Sequence, residues 1–131
     1  MENNQIQHYR EQTISTMTSD ELLLLLYDEL VKNLMRCGLA MDQKDFEESE
    51  LCADKAMDIL HYLDETLDDR YPISKDLHRL YEYFDYQLTR VKIGRNKKVL
   101  EEVRPMIMDL RDTFRQAVKN VAEGAEHSAA H

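Results

Sequence analysis

A chain of 131 residues fits one domain, and a domain of that size can bury a core without disulfides or metal. With 17 basic against 26 acidic side chains the net charge is -9, which disfavours nucleic acid and anionic membrane surfaces and favours a neutral or basic protein as partner. Only 3 Gly and 2 Pro against 33% charged residues, with little β-branched content, predict an all-α protein.

The longest apolar run, residues 22 to 27, is far short of the roughly 20 residues that span a bilayer. The N-terminus also lacks a basic-then-apolar signal layout, so the expected location is the cytoplasm, without membrane insertion. In that reducing compartment Cys37 and Cys52 are expected as unpaired, small core residues.

Residues 1–17 are polar apart from Ile6, Tyr9, Ile14 and Met17, and read as an N-terminal arm or short helical cap that must dock to be ordered. Thr18 and Glu21 have capping-box spacing and start the first helix. In "TSDELLLLLYDEL" the helical period sends Leu23, Leu26, Tyr27 and Leu30 inward, followed by Leu34, Cys37, Gly38 and Met41, with Leu24, Val31 and Met35 on the flank. Asp45 and Glu48 repeat the capping box. A second helix over about 46 to 68 then carries Cys52, Ala56, Ile59, Leu60, Leu63 and Leu67.

Pro72 in "DDRYPIS" breaks the pattern and suits the first turn of a third helix. Ile73, Leu77, Leu80, Tyr81, Phe84, Leu88 and Val91 make its seam, and Gly94 is expected to stop it. Asn96 can cap a fourth helix, with Val99, Leu100, Val103, Met106, Ile107, Leu110, Phe114, Ala117 and Val121 inward and Pro105 outward, where a bend is expected. Residues 123–131 lack apolar spacing and are expected to be disordered. Residues 18–122 thus predict an antiparallel up-down four-helix bundle.

Chemistry is sparse. A di-iron bundle needs two Glu-x-x-His copies, whereas Asp58 with His61 is one imperfect copy. His61 or His78 could serve a phosphotransfer bundle, but neither is followed by the lysine and glycine such a site usually offers. No nucleophile has a helper at a recognisable spacing, so neither catalysis nor a cofactor is expected.

The outward faces carry more. Leu22 and Leu25 exceed what the core can use and form a candidate landing place for the arm, through Ile6, Tyr9 and Ile14, or for a partner. Arg79, Tyr83, Tyr86 and Arg90 align opposite the third helix's seam, and Tyr and Arg are enriched in binding hot spots.

"TMTSDELLLLLYDEL", "KAMDILHYLDETLD", "LHRLYEYFDYQL" and "VLEEVRPMIMDLRDTFRQA", preceded by Tyr9 and Ile14, resemble in order and length the flagellar export chaperones called FliS. Ser19 stands where that family usually has proline, "DDRYPIS" replaces a glycine-containing turn, and Phe114 keeps an aromatic where the family commonly has Trp. The resemblance implies a cytosolic chaperone, a monomer or weak homodimer. It would hold the C-terminal segment of flagellin, prevent premature polymerisation and deliver it to a component of the flagellar type III export gate. A phosphotransfer bundle and a purely structural bundle are the alternatives from other classes.

Overall fold

The computed structural model describes residues 19–122. The arm with Ile6, Tyr9 and Ile14, the capping residue Thr18 and the tail 123–131 lie outside the described residues. Among the described residues four helices follow one another: α1 (Ser19–Asp42), α2 (Phe46–Glu65), α3 (Ile73–Gly94) and α4 (Lys97–Ala122).

The helix ends refine the expected punctuation. Asp45 caps α2 by accepting from the Glu48 backbone N–H at 3.2 Å. The reciprocal half of the capping box does not form, because the Glu48 carboxylate accepts from Cys52 Sγ at 3.3 Å and the Asp45 N–H donates to the Ala40 carbonyl. The second helix stops at Glu65, where Thr66 closes it with its N–H directed to carbonyls of the last turn, so Leu67 and Asp68 belong to the connection. Gly94 does not stop α3 but is its last helical residue; Arg95 takes the left-handed conformation instead (φ 48°, ψ 43°). That geometry costs a non-glycine residue roughly 1–2 kcal/mol. The Arg95 guanidinium lies 4.0 Å from the Phe46 ring centroid, a cation–π contact that offsets part of it. Asn96 caps α4 through the Val99 N–H, and Pro105 is exposed inside α4 as its position on the helix requires.

Cross-helix contacts fix the topology. Along α2 and α3 the pairs Asp54 with Lys92, Met57 with Thr89, His61 with Asp85 and Asp64 with His78 run in opposite chain directions. Asp28 with Arg115 and Asp42 with Lys97 do the same for α1 and α4. Each helix therefore lies antiparallel to its neighbours and α4 closes the bundle on α1.

Most expected core residues are buried, including Leu23, Tyr27, Leu30 and Leu34 of α1 and Leu77, Tyr81, Phe84, Leu88 and Val91 of α3. Both cysteines are free and buried. Burial pushes the Cys37 thiol up to about 11, and the Cys52 thiol is also raised, first by burial and then by Glu48. Several positions depart from the expectation. Leu26, Ile59, Leu80, Leu110, Phe114 and Val121 are only half-buried. Met35, Ile73 (49% exposed), Met106 (41%) and Ala117 are exposed. Ile73, Ala117 and Val121 lie near helix ends, where neighbouring helices give little cover, whereas Met35 and Met106 adjoin the fully buried Leu34 and Ile107 and point to the edge of the seam.

Candidate functional site

The departures concentrate at one end of the bundle. Connections α1–α2 and α3–α4 are short, so differences in helix length accumulate at the opposite end. There α4, with 26 residues, outruns α3, with 22, by about 6 Å at 1.5 Å per residue. All the buried residues of α4 (Val99, Leu100, Val103 and Ile107) fall in its first half. Its second half continues the inward spacing with Leu110, Phe114, Val118 and Val121, which have no full cover.

These side chains wall a cleft of about 220 Å³, closed on the other sides by Leu23 of α1 and Ile73 and Leu77 of α3. Asp20 and Thr113 supply its polar rim. A second recess at the same end lies between α1 and α2, lined by Leu22, Leu26, Tyr62 and Leu63. Leu23 lines both recesses, so the leucine run of α1 is the ridge between them.

The cleft wall is tied to the core. Phe114 stacks on Tyr27 with ring centroids 5.2 Å apart and planes inclined by 25°. The Tyr27 hydroxyl in turn meets the Tyr81 hydroxyl at 2.5 Å. Burial raises both phenol pKa values far above ordinary tyrosine, so both stay neutral. On the outer side of α4, Arg115 pairs with Asp28 at 3.1 Å and holds this half of the helix against α1. The cleft offers apolar area and a rigid aromatic wall, with no nucleophile or acid–base pair. Among the described residues no group of three or more His, Cys, Asp or Glu side chains is placed to hold a metal ion.

The expected site residues fall in three places. Leu22 lines the α1–α2 recess, while Leu25 is half-buried on α1 and lines neither recess. Arg79, Tyr83, Tyr86 and Arg90 are exposed on α3, away from the cleft. There Gln87 Nε2 donates to Tyr83 Oη at 3.0 Å and Arg90 Nη1 donates to Gln87 Oε1 at 2.8 Å, so a buried glutamine braces two of the four. His61 is bonded to Asp85, and His78 to Asp64 and Glu82. Of the cleft residues, Ile73, Leu77, Leu110 and Phe114 were missed as a site because apolar spacing reads as core, and Val118 was not singled out. The available signal was the excess of inward positions on α4 beyond what helices of 20 and 22 residues can cover.

The family described as "Flagellar protein FliS" matches residues 1–121. The chain belongs to the FliS family. A curated FliS relative, the flagellar secretion chaperone FliS of Bacillus subtilis (strain 168), is 28% identical over 112 residues, which cover 86% of this chain and 84% of that protein. A solved structure titled as a flagellar chaperone from bacteria superposes with a TM-score of 0.73 at 18% identity, covering 92% of this chain and 99% of that one, and so shares the fold. FliS proteins are secretion chaperones of the flagellum rather than enzymes, which agrees with a site made of apolar walls. Among the described residues no helix is long and apolar enough to cross a membrane.

Proposed function

We propose that this FliS protein binds the C-terminal helical segment of flagellin in the cytosol, keeps it from polymerising prematurely and delivers it to the flagellar type III export apparatus. The observation that carries the reading is the half-covered apolar cleft between α1, α3 and α4. An amphipathic segment can set anchor side chains into such a groove along one helical face. Binding coupled to folding of the client loses part of its affinity to ordering, which suits a chaperone that must release its cargo.

The arm belongs to the same reading. Ile6, Tyr9 and Ile14 would lie over Leu22, Leu25 and the adjoining apolar surface when the client is absent, as a cover that the client displaces. Tyr83 and Tyr86 would face the client or the export gate.

Val118→Asp combined with Val121→Asp places charge in the cleft at two positions that are not fully buried. With a labelled flagellin C-terminal peptide, affinity is expected to fall at least about tenfold, or 1.4 kcal/mol, with little change in thermal stability. Unchanged affinity in a folded double variant would exclude the cleft as the client site.

A further inference from the structure

The α3 stripe does not end at Arg90. Ile93 follows it by three residues and is 77% exposed, the most exposed of the large apolar side chains among the described residues, with Tyr86 at 64%. Arg79, Tyr83, Tyr86, Arg90 and Ile93, at spacings of 4, 3, 4 and 3, thus form one outward line. It reaches the α3–α4 corner, where a depression of about 330 Å³ is lined by Tyr86, Thr89, Arg90, Ile93, Gly94 and Asn96.

The charge at this corner opposes that of the whole chain. "RVKIGRNKK", residues 90–98, holds five cations and no acid in a protein of net charge -9. Lys92 is neutralised by Asp54 and Lys97 by Asp42. Arg90 bonds a neutral glutamine and Arg95 lies over a ring, so neither is neutralised, and neither Arg79 nor Lys98 forms an ion pair among the described residues. Of these four cations without an acidic partner, Arg79 and Arg90 stand in line with the two tyrosines and the isoleucine, and Arg95 and Lys98 belong to the turn and helix start that follow the line.

From this charge and shape we infer that the α3 stripe and its corner dock an acidic amphipathic peptide segment, which sets an apolar side chain between Tyr86 and Ile93 and its carboxylates against Arg79, Arg90, Arg95 and Lys98. Charge complementarity argues for acidity in the partner. Shape argues for a narrow segment over an anionic bilayer. Exposed Asp76 and Glu82 border the line on α3, and a flat anionic surface would press against them, whereas a single helix or extended strand lies between them. The surface lies apart from the cleft, so the inference does not depend on flagellin binding there, and it gives the partner chemistry of the face whose Tyr83 and Tyr86 the proposed function turns toward the client or the export gate.

The test is a titration of isotope-labelled full-length protein with a synthetic peptide of about fifteen residues, matching the roughly 21 Å from Arg79 to Ile93. In it glutamates alternate with leucines at helical spacing; the control carries lysines in place of the glutamates. Saturable amide shifts are expected at Tyr83, Tyr86, Arg90, Ile93 and Gly94, weakening as salt is raised and absent with the lysine peptide. Arg90→Glu with Lys98→Glu should weaken the glutamate peptide about tenfold while the protein melts as before. Ile93→Ser separately tests the apolar anchor and should weaken binding without altering its salt dependence. No shifts on the stripe, shifts confined to the cleft, equal binding of the lysine peptide, or indifference to the charge reversal would each overturn the inference. Stripe shifts with phosphatidylglycerol vesicles and none with the peptide would assign the surface to a membrane and overturn it equally.

Discussion

Tyr27 of α1 and Tyr81 of α3 meet hydroxyl to hydroxyl at 2.5 Å across the bundle interior, both side chains essentially inaccessible to water. This bond spans the diagonal of the bundle, and Phe114 stacks on the outer face of Tyr27, so the cleft wall rests on it. Tyr81→Phe would leave the buried Tyr27 hydroxyl without its partner, at a cost of about 1–3 kcal/mol. Replacing both phenols removes donor and acceptor together and is expected to cost less than the two single changes summed. Urea unfolding of the two single variants and the double variant gives the coupling directly; strict additivity would show that the bond carries no net stability.

How far the fold was legible follows from the same helices. Leu77, Tyr81, Phe84, Leu88 and Val91 were readable because each has a helix opposite it along the middle of the bundle, so period alone decides burial. Ile73 and Ala117 have equally good spacing, yet period says nothing about how far a neighbouring helix reaches, and Met106, beside the fully buried Ile107, shows that it also leaves the edge of a seam undecided. Boundaries failed for a related reason. Gly94 has the chemistry to end a helix, but the tight α3–α4 turn places the left-handed residue at Arg95, whose side chain finds Phe46 on α2, a contact invisible along the sequence. The arginine and tyrosine line on α3 was legible as a surface, and Ile93, three residues after Arg90 and on the face opposite Val91, extends it by the same helical spacing although it was not singled out.

Gly38 lies inside α1 and is buried against α4, an arrangement that commonly marks a close approach needing glycine. Here a Cβ would meet Leu100 Cδ2 at 3.5 Å and Glu101 Oε1 at 3.8 Å, ordinary contact distances. The backbone is helical, so alanine fits without strain and restricts the unfolded chain. Gly38→Ala is expected to stabilise by about 0.4–1 kcal/mol, read as a higher midpoint in urea with unchanged slope. A lower midpoint would mean that α1 and α4 cannot accommodate the added methyl.

His78 joins α3 to α2 through Asp64 at 2.6 Å, with Glu82 on its other nitrogen. The hydrogen bond to Asp64, aided by the nearby carboxylates, raises its pKa above the ordinary 6.5. A folded value above the unfolded one means that the protonated form favours folding. The contribution is complete below about pH 6.5 and is lost as pH rises through the raised value. Wild type and His78→Gln should therefore differ in melting temperature near pH 5.5 and converge by about pH 8. The direction is opposite to that of a carboxylate held ionised, such as Asp68, which Arg70 holds down to about 2. A gap that widens with pH would contradict the assignment to His78.

The arm gives the last prediction, resting on the proposed displaceable cover. Ile6, Tyr9 and Ile14 are spaced apolar points in a polar segment, and both α1 recesses offer apolar area within its reach. If the arm and flagellin compete, the client's apparent affinity in the full chain is lowered by the fraction of molecules whose arm is docked. Deleting residues 1–17 should then tighten binding of the flagellin C-terminal peptide, through faster association more than slower release. Ile6→Ser with Ile14→Ser should act in the same direction without shortening the chain. Unchanged or weaker binding in both variants counts against a cover. Weaker binding in the deletion together with tighter binding in the serine variant would mean that the arm both competes for the groove and touches the client elsewhere.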